Sequence, residues 1–83
     1  MPDTQDDILA GLAEICHEIA GTDPARVQPG AGFSTDLDLD SLTMVEVVVA
    51  AEQRFGVRIP DSDIEQLVTV GDAVSYIQRV AVA

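Results

Sequence analysis

The chain of 83 residues holds fifteen Asp and Glu against four Arg and no Lys, which gives it a formal net charge of −11. Nucleic acids and acidic lipid surfaces are bound through clusters of Lys and Arg, so this balance argues against both and favours basic protein surfaces as partners. The length suits one small domain, residues 1–83, with a single core and no room for a catalytic cleft and its supporting shell.

Cysteine content and the start of the chain bear on the compartment in which the protein works. A single cysteine, Cys16, excludes an internal disulfide and gives no sign of an oxidising compartment. Residues 1–7 are acidic and lack the apolar stretch of a secretory signal. The longest apolar run, residues 44–51, contains Glu46 and falls well short of the ~20 residues that span a bilayer. We therefore expect a cytoplasmic monomer that does not insert into membranes.

The first predicted helix covers about residues 4–20 and ends at Gly21. Its apolar residues follow the spacing of one helix face. They are Ile8, Leu12, Ile15 and Ile19. Cys16 falls on the shoulder of that face and is expected to be half-buried, while His17 points towards water. Neither residue is expected to be catalytic.

Residues 22–39 are predicted to form a long loop, because Pro and Gly recur there among scattered apolar residues. Loops of this length are usually functional or held by their own apolar side chains. Phe33 and Leu37 are the expected anchors.

The second predicted helix, from about Ser41 to Phe55, is apolar on two faces. One is a stripe that should face the core, formed by Met44, Val47, Val48, Ala51 and Phe55. The other is an outer stripe, formed by Leu42, Val45 and Val49 with Glu46 and Glu52 beside it. A small domain cannot surround a helix completely, so we interpret the outer stripe as a docking face. The alternative is that the long loop folds over it.

The rest of the chain predicts two further helices. Gly56 and Pro60 break the pattern, and a short helix opens at Pro60-Asp61 and runs through Leu67. Thr69 to Asp72 resembles a capping box at the start of the last helix. The apolar stripe of that helix is Val70, Ala73 or Val74, Ile77, and Val80 or Ala81. The fold should be all-α, a small bundle of three main helices plus one short helix, with a long loop between helices 1 and 2.

Ser41 is the candidate functional residue. A serine before an apolar helical run is usually a helix cap. Ser41, however, begins the helix with the apolar outer face, and it follows an acidic cluster of Asp36, Asp38 and Asp40. Activation of a serine needs a base, and His17, the only histidine, lies on another helix. Ser41 is therefore better suited to be a substrate of other enzymes than a catalyst.

Four segments in order resemble the freestanding bacterial, type II fatty acid synthase-like acyl carrier proteins. They are residues 36–46, Phe55, residues 59–61 and residues 69–73, and the resemblance as a whole covers nearly the entire chain. The resemblance implies a 4'-phosphopantetheine arm on Ser41, flanked by Asp40 and Leu42, transferred from coenzyme A by a separate phosphopantetheinyl transferase. The arm's thiol would hold acyl groups as thioesters, which makes the protein a carrier and not an enzyme.

The resemblance also implies surfaces for partners and cargo. Acyl-loading, condensing and acyl-transfer enzymes with basic patches would dock on Asp36, Asp38, Leu42, Val45, Glu46, Val49 and Glu52. The acyl chain would be lined by Val47, Val48, Ala51 and Phe55. Two departures stand out: Asp38 occupies a position where the family commonly has glycine, and Gln53 and Arg54 stand where many relatives carry acids. Asp tolerates left-handed backbone better than most residues do.

Other functions compete with this interpretation. Asp36-x-Asp38-x-Asp40 suggests a calcium loop, but Ser41 and Val47 stand where an EF-hand requires glycine and a bidentate glutamate, so no metal site is expected. Fatty acid biosynthesis is the favoured pathway. A dedicated carrier for a polyketide or lipopeptide would look nearly the same. An acidic interaction module without a prosthetic group is the alternative from another class.

Overall fold

Four α-helices make up most of the computed structural model, which describes residues 4–82, with side chains up to residue 80. They are α1 (Gln5–Ala20), α2 (Ser41–Phe55), α3 (Asp61–Ile64) and α4 (Val70–Val82). A 3-10 turn, Pro24–Arg26, lies in the loop between α1 and α2. The prediction of three main helices plus one short helix is confirmed. No helix in the described part of the chain is long and apolar enough to cross a bilayer.

Helix α1 begins and ends where its sequence predicts. The Thr4 hydroxyl accepts a hydrogen bond from the Asp7 N–H (3.2 Å), and Gly21 ends the helix in the left-handed conformation (φ 70°). Cys16 corrects an expectation, because it is fully buried and not half-buried. The reason is that α1 packs against both α2 and α4, so the shoulder of its apolar face is covered too. Burial raises the pKa of the Cys16 thiol.

The two apolar stripes of α2 have different environments. Val47, Val48 and Ala51 are buried in the core, and Met44 and Phe55 pack against it partly exposed. This side of the helix faces the core as predicted. The outer stripe stays exposed, because the long loop folds elsewhere. The alternative of a loop covering these side chains is therefore wrong.

The long loop is fastened to the segment before α4. The Phe33 N–H donates to the Val68 carbonyl (3.0 Å), and the Val70 N–H donates to the Ala31 carbonyl (2.8 Å). Phe33 and Leu37 are buried, as predicted for anchors. These bonds hold the loop beside α3, on the side of the molecule where α2 begins.

Glycine is required at position 71, where the loop meets α4. The Gly71 N–H donates to the Pro29 carbonyl (2.8 Å), and a Cβ at Gly71 would lie only 2.8 Å from that oxygen. A side chain would therefore push the loop off the helix.

Helix α4 carries the predicted capping box and stripe. The Thr69 hydroxyl accepts from the Asp72 N–H (3.1 Å), and the Asp72 carboxylate accepts from the Thr69 N–H (3.0 Å). Its buried residues are Val70, Ala73, Val74 and Ile77. The side chain of Ala81 lies outside the described residues. Helix α3 ends at Ile64, earlier than expected, and Leu67 is buried in the turn that follows.

Candidate functional site

Ser41 is the first residue of α2, and its side chain is exposed. The N-cap is Asp40, whose Oδ1 accepts a hydrogen bond from the Thr43 N–H (2.8 Å). The same backbone N–H is the main cause that lowers the pKa of Asp40. Because Asp40 caps the helix, Ser41 is not needed for that role. Its hydroxyl is presented to solvent from a fixed helix terminus.

The acidic residues before Ser41 have separate structural roles. The Asp36 carboxylate accepts from the Gly32 N–H (2.6 Å), and its carbonyl accepts from the Arg26 guanidinium. Asp38 adopts a left-handed backbone (φ 55°), as its glycine-like position suggests. Within residues 4–80, no group of three or more His, Cys, Asp or Glu side chains is placed to hold a metal ion.

The outer stripe of α2 forms an exposed apolar surface next to Ser41. Leu42, Val45 and Val49 are 70%, 47% and 45% exposed, and Glu46 lies exposed beside them. Glu52 differs from the others. It is half-buried, and its Oε2 accepts from the Ile59 N–H (2.8 Å), so its carboxylate stabilises the segment after α2.

An apolar cleft of about 750 Å³ opens beside Ser41. Its apolar walls come from the loop, α2 and the α3 region: Phe33, Leu39, Met44, Val45, Ile64, Leu67 and Val68. The predicted acyl-lining residues, Val47, Val48, Ala51 and Phe55, are not among its walls, and the first three are buried in the core. Sequence reasoning missed the loop and α3 contributions, although Phe33 and the apolar pair Ile64 and Leu67 were visible signals.

The site offers a hydroxyl without a base. Among the hydrogen bonds of residues 4–80, none joins Ser41 to a histidine or carboxylate, and the Nδ1 of His17 lies 3.2 Å from the Thr22 carbonyl at the end of α1. A serine nucleophile needs an adjacent base. The arrangement therefore suits attachment of a group by another enzyme. A flexible group on Ser41 could point outwards or lie in the cleft, so the residues present fit such a group.

A small helical carrier domain is the class of protein that this fold and site define, and comparisons with known proteins agree. The family model described as "Phosphopantetheine attachment site" matches residues 10–77. The chain is 58% identical over 80 residues to an acyl carrier protein of Acidothermus cellulolyticus, covering 96% of this chain and 95% of that protein.

Two further relatives carry related names. An acyl carrier protein of Renibacterium salmoninarum is 54% identical over 74 residues, covering 89% of this chain and 91% of that protein. A meromycolate extension acyl carrier protein of Mycobacterium bovis is 52% identical over 79 residues, covering 95% of this chain and 69% of that protein. The chain belongs to the acyl carrier protein family.

Membership of this family defines the general function. The protein bears 4'-phosphopantetheine, holds acyl groups on it as thioesters, and serves other enzymes without catalysing their reactions. Its partners include a phosphopantetheinyl transferase and acyl-handling enzymes. Family membership therefore excludes the alternative of an acidic interaction module without a prosthetic group.

Proposed function

We propose that Ser41 is the residue to which 4'-phosphopantetheine is attached. The observation that carries this proposal is its position at the exposed start of α2, beside the apolar cleft, with capping left to Asp40. The Ser41 oxygen forms a phosphodiester with the phosphopantetheine phosphate of coenzyme A, and adenosine 3',5'-bisphosphate leaves. The proton of the hydroxyl passes to a base of the transferase, since no histidine or carboxylate among residues 4–80 is hydrogen-bonded to Ser41.

Intact mass spectrometry tests this assignment. Incubation with coenzyme A and a broad-specificity phosphopantetheinyl transferase should add the mass of one arm to the wild-type protein, and Ser41→Ala should gain nothing. Ser34→Ala is the matched control, because Ser34 is also exposed at the cleft and should leave loading intact. An arm on Ser41→Ala, or loss of loading only in Ser34→Ala, would refute the assignment.

The outer stripe of α2 is the proposed docking face for partner enzymes. Exposed Leu42, Val45 and Val49 supply apolar contact, and Glu46 together with Asp36 and Asp38 supplies negative charge near Ser41. A net charge of −11 favours partners with basic patches, which it attracts over a distance set by ionic strength. Glu52 belongs at the edge of this face, because its carboxylate is engaged by Ile59.

Primary fatty acid synthesis is the proposed pathway. Support comes from the close relative of nearly equal length, named only as an acyl carrier protein, with 58% identity. A dedicated carrier for a polyketide or lipopeptide remains the alternative. The malonyl-loaded protein, offered to purified fatty acid and polyketide condensing enzymes, should be extended faster by the former. Faster extension by the polyketide enzyme would reverse the assignment.

We also propose that the protein is a monomer and works in the cytoplasm. The arm derives from coenzyme A, and repulsion between copies with a net charge of −11 opposes self-association at low salt. Sedimentation at low and moderate salt should give one species of monomer mass. A dimer of the loaded protein would contradict this part of the proposal.

A further inference from the structure

Helix α3 forms a wall of the cleft and is very short. It comprises only Asp61–Ile64, and Pro60 at its N-cap makes no side-chain hydrogen bond. Short helices are marginal in water unless tertiary contacts support them. Asp61, Ile64 and Glu65 line the cleft, so movement of α3 would change the width of the cleft directly.

The opposite side of α3 is tied to α4. Asp63 is absent from the cleft walls, and its Oδ2 accepts a partly buried hydrogen bond of 2.7 Å from the Tyr76 hydroxyl. Tyr76 lies on α4 between Ala73 and Ile77, both buried in the core. The Arg79 guanidinium lies 5.5 Å from the Tyr76 ring centroid and supports the ring. The bond therefore joins a marginal helix to a firmly packed one.

Glu52 completes this polar cluster from α2. Its bond to the Ile59 N–H holds the segment that leads into α3. The pKa of Tyr76 is raised, first by the hydrogen bond to Asp63, then by burial and by the negative charge of Asp63; Arg79 opposes the shift, and the charge of Glu52 adds the smallest contribution. A tyrosine hydroxyl with an ordinary pKa of about 10 already keeps its proton at neutral pH, so Tyr76 is a donor to Asp63 there.

We propose that the Tyr76–Asp63 hydrogen bond is a latch on α3 that limits how far the cleft opens for the acyl chain. Tyr76 is then a positioning residue for cargo, acting through α3 from outside the cleft. A short chain fits with the latch closed, whereas a long chain requires α3 to move away from α2. The cargo part of this inference rests on the proposed attachment at Ser41.

Hydrogen exchange of the unmodified protein tests the latch itself. The Ile64, Gln66 and Leu67 N–H groups donate to the carbonyls of α3 and its N-cap, which are Pro60, Asp63 and Ile64, so their exchange reports the opening of α3. Tyr76→Phe removes only the hydroxyl, and these amides should exchange roughly 3- to 10-fold faster, as expected for the loss of one hydrogen bond.

The control variant is Gln78→Met, which removes an exposed hydrogen bond that the side-chain N–H of Gln5 on α1 donates to the side-chain oxygen of Gln78, and it should leave the α3 amides unchanged. Asp63→Asn keeps an acceptor oxygen and should retain most of the protection. Unchanged α3 exchange in Tyr76→Phe, or an equal rise across α1, would overturn the latch.

Acyl loading tests the link to cargo. In the wild-type protein, a palmitoyl thioester should speed exchange of the α3 amides while a butyryl thioester leaves them as in the holo form. In Tyr76→Phe this difference should shrink, because α3 is already released. An equal difference in both proteins would refute the role in cargo. Failure of loading at Ser41 would instead refute the proposed attachment. The test of the latch by hydrogen exchange on unmodified protein does not depend on that outcome.

Discussion

Asp38 occupies a backbone conformation that glycine adopts without strain. Its φ of 55° is the only positive value among the described residues other than glycine. It lies two residues before Asp40, where the chain turns to start α2. Left-handed backbone costs a residue with a Cβ about 1 to 2 kcal/mol, and Asp reduces the cost by local hydrogen bonding. The turn that presents Ser41 is thus formed with some strain.

Substitutions at this position separate strain from charge. Asp38→Gly and Asp38→Ala both remove the carboxylate, but only the alanine variant keeps a Cβ. We expect the glycine variant to be more stable than the alanine variant by about 1 kcal/mol, measured by urea unfolding. Equal stability of the two variants would show that the backbone relaxes out of the left-handed region.

Helices α2 and α4 each depend on an aspartate at the N-terminus. Asp40 caps α2, and Asp72 accepts from the Thr69 N–H at α4. The pKa of each carboxyl is lowered, Asp40 by the Thr43 N–H and Asp72 by the Thr69 N–H. A folded-state pKa below the unfolded value contributes stability above pH ~4, which is lost as the pH falls through the lowered pKa.

The pH dependence of stability should therefore reveal these caps. Asn retains an acceptor oxygen but has no charge, so Asp40→Asn and Asp72→Asn should melt below the wild type at pH 7. The gap in Tm should narrow as the pH falls below about 4, because the wild-type carboxyls become neutral there. A gap of the same size at every pH would mean that the charge of the cap contributes nothing.

The helices were predictable from local pattern, and the cleft was not. The stripe containing Val47 and Val48 shows which side of α2 faces the core, and Thr69 marks the start of α4. The cleft depends on pairing between residues 32 and 69, which places Phe33 and Ile64 in the walls of the same cleft. No periodicity within a helix reports such a contact. The same limit applies to Cys16, whose burial depends on two neighbouring helices.

The net charge belongs to the whole molecule, whereas docking at the proposed face also depends on where individual charges lie. The net charge of −11 should speed encounters with any basic partner. Glu46 on the outer stripe and Glu18 on α1 are both exposed, so reversing either changes the total charge equally. Only Glu46 lies next to the exposed apolar residues near Ser41.

Matched charge reversals should distinguish the global field from the docking face. Glu46→Arg should slow association with the phosphopantetheinyl transferase roughly tenfold at low salt, and Glu18→Arg should have a much smaller effect. Stopped-flow measurements at several salt concentrations check this, since the effect of Glu46→Arg should diminish as salt increases. Equal slowing of association by both variants would mean that the net charge of the whole protein, and not Glu46 on the docking face, attracts the transferase.

The bonds between the long loop and the start of α4 have a consequence for biosynthesis. The Ala31 carbonyl accepts a hydrogen bond from the Val70 N–H, and the Phe33 N–H donates to the Val68 carbonyl. The loop wall of the cleft beside Ser41 can therefore form only after the ribosome has added residues 68–70. A nascent chain that has just exposed Ser41 has the serine but not the folded surroundings that present it. With attachment at Ser41 as proposed, the transferase meets a complete site only on a chain whose last helix has begun to fold.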